Sequence, residues 1–245
     1  MGTSPLLWIG TSGWVYKHWI GIFYPRNLPA SEQLRFYAEH YRTVEINFTF
    51  YRLPERSAFE TWRTQTPQGF VFAVKGSRYL THMKKLKDPE EPLARLMDRA
   101  RGLEEKLGPI LFQFPQSWRL NIERLTIFVE AVRQYAGQRF TLEFRHPSWL
   151  IPEVFDLLQN AGIALCLPSH PQMPLEVRLT ASWTYIRMHR GEHGTGYSDG
   201  ELMQWAERIR AFLRDGIETY VYFNNDPEGH ALRDADRLRE LLSGP

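Results

Sequence analysis

Charged and polar side chains fall at every second position near the C-terminal ends of short apolar runs in this sequence. The fullest case is Phe140–Leu150, FTLEFRHPSWL. Phe140, Leu142 and Phe144 alternate with Thr141, Glu143 and Arg145, the period-two pattern of a strand with one apolar face. Buried on both faces, such a strand would not tolerate Glu143 and Arg145 without partners or water. His146, Pro147 and Trp149 follow, and Pro147 stops the strand. A carboxylate, a guanidinium and an imidazole are thus delivered to one strand end. The same parity offers Glu45 and Asn47, Lys75, Gln113, Arg187 and His189, and Tyr222 and Asn224, with Asn225 and Asp226 just beyond.

These residue types admit several chemistries. Glu45 and Glu143 could work as an acid/base pair in glycoside or proton-transfer chemistry. Lys75, Arg145 and Arg187 could grip a phosphate or carboxylate, arginine being suited to bidentate contact. His189 could be a general base or a metal ligand. His146, His189, Glu45, Glu143 and Asp226 are able to ligate a metal, but no HxH, HExxH or clustered spacing appears, and neighbouring cations would repel a divalent ion. The reading therefore expects no cofactor, with a divalent metal as the lesser alternative. The basic stretch Lys75–Lys87, KGSRYLTHMKKLK, interleaves Tyr79 and His82 and could attract a phosphate-rich polymer. Arg78 and His82 are its candidates, while Lys84, Lys85 and Lys87 read as a solvated face. Asn224, Asn225 and Asp226 form either a hydroxyl- or anion-binding corner or a capping turn. Trp14, Tyr51, Trp118 and Trp149 could wall a cleft. His18 and Cys166 read as structural. The alternative for the whole charged set is an ion-pair network that merely fills a barrel.

The elements that must position these groups alternate along the chain. Strands are expected at Leu6–Gly10, Thr43–Phe48, Phe70–Lys75, Pro109–Phe114, Phe140–Arg145, Ile163–Leu167, Thr184–Met188 and Thr219–Phe223. Helices lie between them. Ser31, Asn121, the Ser57/Glu60 pair and the Ser198/Glu201 pair are read as N-terminal caps. Asp88-Pro89 opens a helix toward Gly108, Val154–Leu158 lies in another, and the last runs from Gly229 to Leu242. Gly108, Gly137, Gly162 and Gly216 each stand between a helix and the next strand, where left-handed backbone lets a helix stop. The connection from Pro168 to Ser182 holds prolines at 168, 171 and 174 and reads as irregular. Short turns at one end and long polar loops at the other predict a (β/α)8 TIM barrel, one α/β domain over residues 1–245, with the polar strand ends lining its upper lumen. A doubly wound sheet would carry a Gly-rich fingerprint after the first strand, and GTSGW is not GxGxxG.

Composition sets bounds. The chain has 245 residues, formal net charge +2, 43% hydrophobic and 24% charged residues. That is ordinary for a globular protein and provides no global field for nucleic acid or membrane. A single cysteine excludes an intramolecular disulfide or multi-cysteine zinc site. No basic-then-apolar leader or spanning run is present, so a cytoplasmic location is expected.

Seven stretches in order also resemble a known family. They are GTSGW (Gly10–Trp14), VEINFTFYRLP (Val44–Pro54), FAVKGSRYLTH (Phe72–His82), LFQFP (Leu111–Pro115), LEFRHPSW (Leu142–Trp149), YIRMHR (Tyr185–Arg190) and YVYFNND (Tyr220–Asp226). Together they are similar to the YecE-like family, a domain of unknown function. The resemblance implies a TIM barrel and no particular activity. Such barrels are similar in outline to the endonuclease IV and xylose isomerase group, which suggests phosphodiester or sugar chemistry by analogy. The expected function is a metal-free barrel enzyme, a hydrolase or an isomerase/lyase, on a small phosphorylated or sugar-like ligand. Glu45, Glu143 and His189 would be catalytic. Asn47, Tyr51, Lys75, Arg78, His82, Gln113, Arg145, His146, Arg187, Tyr222, Asn224, Asn225, Asp226 and Trp14 would bind the ligand. The alternatives are a nucleic-acid-binding protein of the damaged-DNA or endonuclease IV-like kind, and a non-catalytic sensor of a small anion.

Overall fold

A computed structural model describes residues 6–244, so part of the N-terminal stretch read above for a leader lies outside it. Eight strands form one sheet: β1 (Leu7–Thr11), β2 (Thr43–Ile46), β3 (Val71–Lys75), β4 (Leu107–Gln113), β5 (Phe140–Glu143), β6 (Ala164–Ser169), β7 (Trp183–Met188) and β8 (Glu218–Phe223). Their order is β1-β8-β7-β6-β5-β4-β3-β2, and every pairing is parallel. The seam between β1 and β2 closes through a parallel bridge from Ser12 to Glu45. Gly10 makes this approach possible, since a Cβ there would lie 2.2 Å from the Thr43 carbonyl oxygen. The result is the expected TIM barrel, nearly closed, and the open doubly wound sheet is excluded.

Around it lie α1 (Gln33–His40), α2 (Phe48–Tyr51), α3 (Arg56–Gln65), α4 (Glu90–Ala100), α5 (Ile122–Arg133), α6 (Pro152–Asn160), α7 (Asp199–Arg214) and α8 (His230–Ser243). Among the described residues, no helix fills the connection from β6 to β7. Its prolines break helical hydrogen bonding, and Thr180 ties the irregular segment back by accepting from Leu165 N and donating to the Ile163 carbonyl. Among the described residues, no helix is long and apolar enough to cross a membrane.

The period-two parity decides which side chains meet. Val44, Ile46, Phe72, Val74, Leu142, Phe144, Ile186, Met188, Val221 and Phe223 pack outward in one core with the helices. Trp8, Ala73, Leu111, Cys166, Trp183, Tyr185, Tyr220 and Tyr222 pack inward as a second, luminal cluster. A one-residue slip would exchange the two sets and bury the charges among the helices, so the register is strongly specified.

Local signals had mixed outcomes. Asn121 accepts from Arg124 N at 2.9 Å, and Ser198 with Glu201 forms a reciprocal capping box. Ser57 and Glu60 form none, because the helix begins at Arg56 and Glu60 pairs with that arginine instead. Ser31 lies inside a short 3-10 turn, Ala30–Glu32, that precedes α1. Gly137, Gly162 and Gly216 have φ of 83°, 65° and 73°, as left-handed helix ends require. Gly108 instead belongs to β4, where a Cβ would strike Val71 Cγ1 at 2.5 Å. The second strand ends at Ile46 rather than Phe48, and the chain turns at once into the single-turn α2.

Candidate active site at the barrel mouth

The C-terminal layer of the lumen takes one side chain from each of six strands. Ser12 follows β1, and β2, β3, β4, β5 and β7 contribute Glu45, Lys75, Gln113, Glu143 and Arg187. At its centre Arg187 is wholly buried, as are both glutamates. Its Nε and Nη2 donate to the two oxygens of Glu45 at 3.0 and 2.8 Å, a bidentate pair, while Nη1 donates to Glu143 Oε2 at 2.8 Å. Further donors meet the same carboxylates. Ser12 Oγ and the Tyr185 hydroxyl donate to Glu45, each at 2.7 Å. Arg145 Nε donates to Glu143 Oε1 at 2.7 Å.

His189 completes this floor. Its Nδ1 accepts from Asn224 Nδ2 at 3.1 Å, since an amide nitrogen can only donate. Its Nε2 then carries the proton and donates to Glu143 Oε2 at 3.0 Å. Burial, with help from Arg187 and against the pull of Glu143, lowers its pKa to about 4, so the ring is neutral at physiological pH. For both glutamates burial alone would favour the protonated form. Arg187 overrides it, holding Glu45 below and Glu143 well below the usual carboxylate range.

Above the floor opens a cavity of about 610 Å³, lined by Phe50, Tyr51, Lys75, Arg78, His82, Met83, Gln113, Arg145 and Asn224. Lys75 is the exception among the charges of this layer. Its amine lies 4.3 Å from the centre of the Phe50 ring, and no carboxylate among the described residues forms a salt bridge with it. Burial, reinforced by Arg187 and opposed by both glutamates, lowers its pKa from 10.5 to about 7. The α2 turn holds Phe50 in place, with Thr49 donating to the Lys75 and Ile46 carbonyls. His82 sits on a π-helical turn, Tyr79–Met83, edge-on to Phe50. Burial and the neighbouring Lys75 lower its pKa to about 4.

The sequence-selected residues divide accordingly. Lys75, Arg78, His82, Gln113, Arg145, Asn224 and Tyr51 line the cavity. Glu45, Glu143, Arg187 and His189 form its floor. Asn47 lies at the edge, donating to the Ser12 carbonyl and to Asn224. Tyr222 is one layer deeper, its hydroxyl 2.6 Å from Thr43 Oγ1.

Others do not reach the mouth. Trp14 packs edge-on against Trp62 in the outer core, and Trp118 and Trp149 stack among Phe114 and Phe144. His146 accepts from Ser148 N and caps its own turn. Asn225 donates to Asp234 and to the Thr195 carbonyl. Asp226 accepts from Trp19 Nε1 and pairs with His18. The Asn225–Asp226 corner thus braces neighbouring segments, and α8 starts after Gly229, which supplies no side-chain cap. Cys166, 3.9 Å from Glu143, is buried, and burial keeps its thiol protonated.

In the basic loop Lys84 pairs with Asp88, and the buried Leu86 pins the backbone. No group of three His, Cys, Asp or Glu side chains among the described residues is placed to hold a metal ion.

Sequence reasoning missed Phe50 and Met83 at the cavity and Ser12 and Tyr185 below it. Ser12 and Tyr185 share strand parity with Gly10 and Arg187, a signal that was there to use. Phe50 was hidden by its assignment beside a strand.

A TIM barrel carrying a polar, cationic mouth is the class these features define. Residues 8–245 match a family described as "Protein of unknown function DUF72", and the chain belongs to that family. It is 24% identical to the UPF0759 protein YunF of Bacillus subtilis over 97% of this chain and 95% of that protein. It is also 24% identical to the UPF0759 protein YecE of Escherichia coli K12, over 64% of this chain and 55% of that protein. The resemblance to a YecE-like family therefore holds. The crystal structure of a DUF72 family protein from Thermotoga maritima is similar, with TM-score 0.84 and 30% identity, over 97% of this chain and 99% of that one. A DUF72 family protein of Enterococcus faecalis, 19% identical, shares the fold with TM-score 0.81 over 98% of this chain and 96% of that one.

Proposed function

We propose that the mouth binds a small anionic ligand, phosphorylated or carboxylated, and that the protein is an enzyme acting on it. One observation carries this reading. Arg187 occupies both floor carboxylates, so the groups that face the cavity are cationic or neutral. Two carboxylates stand against the guanidiniums of Arg187, Arg145 and Arg78, leaving one positive charge before Lys75 is counted. Inside a concave, partly desolvated site that surplus selects an anion.

The roles follow from what each group has free. Arg145 and Arg78 hold the anion. Gln113 and Asn224 offer amides to hydroxyl or carbonyl groups on its uncharged part. Glu45, with four donors, and Glu143, held by Arg187, His189 and Arg145, position Arg187 and Arg145 rather than serving as acid and base. His189 acts likewise, because its lone pair is spent on Asn224. Lys75 is the titratable group matched to neutral pH, and the reactive role first assigned to the glutamates passes to it. The test is calorimetric titration with inorganic phosphate at low ionic strength. Binding should weaken about tenfold or more in R78M and in R145M, as loss of a charge-assisted contact implies. Equal affinity in both variants and the parent would remove the reading.

A second reading has its own observation. Phe48, Tyr51, Tyr79 and Met83 are exposed around the mouth, with Arg78 over the Tyr51 ring at 5.8 Å. Flat apolar faces beside a guanidinium suit stacked bases of a single-stranded nucleic acid. Its mark would be an oligonucleotide affinity that falls steeply with salt and drops in Y51A.

A further inference from the structure

We propose that Lys75 is a covalent catalytic residue whose amine condenses with an aldehyde or ketone carbon of the anionic ligand, forming an imine within the barrel mouth. This rests on the anion-binding reading above and adds the reaction class to it.

The geometry separates Lys75 from every other cation of the layer. Arg187 and Arg145 are held by carboxylates at 2.7–3.0 Å, whereas the Lys75 amine has no such partner among the described residues. A lysine placed to grip an anion would be expected at the exposed rim, as Arg78 is. Lys75 is instead 8% exposed, at the end of β3, reaching the cavity from its wall. The Phe50 ring closes one side of the amine, so a reacting carbonyl must approach from the cavity. That ring, 4.3 Å away, would also favour the positive charge of a protonated imine.

The amine is also unprotonated in large part at neutral pH. With its pKa lowered to about 7, the neutral fraction at pH 7.5 exceeds that of an ordinary lysine by several hundredfold, on the order of 10³. Burial beside cations is how a lysine becomes a nucleophile.

The step balances without a co-reactant. The nitrogen lone pair attacks the carbonyl carbon and a proton passes from nitrogen to oxygen, giving a carbinolamine. Departure of that oxygen as water leaves a C=N double bond, which takes one proton from solvent to become the iminium ion. Arg145 and Arg78 would hold the ligand's anionic end meanwhile, and the iminium would serve as an electron sink for breaking a bond to the adjacent carbon.

The experiment uses the full chain and glycolaldehyde phosphate as probe, with sodium cyanoborohydride at pH 7.5 and peptide mass mapping. One reduced adduct is expected on Lys75, forming at least a hundredfold faster than on Lys85 or Lys87. It should be suppressed by sulfate, absent in K75R, and much slower with uncharged glycolaldehyde. Sulfate binding is measured on the same sample. Sulfate binding without an adduct on Lys75, or label spread evenly over the lysines, overturns the imine while sparing the anion site. Absence of both binding and adduct overturns the two together.

Discussion

Arg187 and Glu45 form a fully buried bidentate ion pair across the lumen, joining β7 to β2 at 3.0 and 2.8 Å. The same guanidinium reaches Glu143 on β5, so one side chain bridges both carboxylates of the layer on which the cavity rests. Such a group is expensive to desolvate and persists because each of its nitrogens meets a carboxylate oxygen. Removing the cation while leaving the carboxylates is therefore severe. R187M should lose about 3–5 kcal/mol in urea unfolding at pH 7. The stranded Glu45 would then have its pKa raised rather than lowered, so the loss should shrink as pH falls toward the ordinary carboxylate value of 4.5. A loss under about 1 kcal/mol at pH 7 would mean that the pair is not formed as described.

His189 gives the fold an acid limit. Its native pKa of about 4 lies below the ordinary 6.5, so between those values the unfolded chain takes a proton that the native ring refuses. Stability should therefore fall as pH drops from 6.5 toward 4, by up to about 1.4 kcal/mol per unit. Glu143, whose pKa is also depressed, adds to the loss below its ordinary value of 4.5. H189Q keeps a donor for Glu143 and should flatten the upper part of this slope. Identical profiles for parent and variant between pH 6.5 and 5 would show that the ring titrates freely in the native state.

Gly10 is the seam of the barrel. G10A would press a methyl group against the Thr43 carbonyl, where the approach is 2.2 Å. Backbone cannot yield as a side-chain tip does, so β1 and β2 must part. The expected cost is about 3 kcal/mol, with early hydrogen exchange confined to these two strands. A variant as stable as the parent would mean that the seam is not closed.

The barrel and the level of its polar layer were legible because strand parity is a local property. Glu45, Lys75, Gln113, Glu143 and Arg187 each follow an apolar run at the same offset, and strand ends converge in a closed sheet. What each charge does was not legible. The partners of Arg187 lie 142 and 44 residues away in sequence, and no local pattern shows that they use up its donors. The tryptophans misled for a related reason. Trp118 and Trp149 sit in long loops, but those loops pack the rings against Phe114 and Phe144 in the outer core. Phe50 was overlooked because Phe48–Tyr51 places three aromatics in four positions beside a strand. That crowding already breaks the two-residue period and marks a turn.

The most direct measurement is calorimetric titration of sulfate at pH 8 in buffers of different ionisation heat. Sulfate does not titrate there, and the parent amine of Lys75 is mostly neutral. An anion held by Arg78 and Arg145 beside it should raise its pKa, so binding should draw up a substantial fraction of a proton. K75M should bind sulfate with no uptake. Sulfate binding in the parent that exchanges no proton, or no binding at all, would contradict an anion site built around a near-neutral lysine.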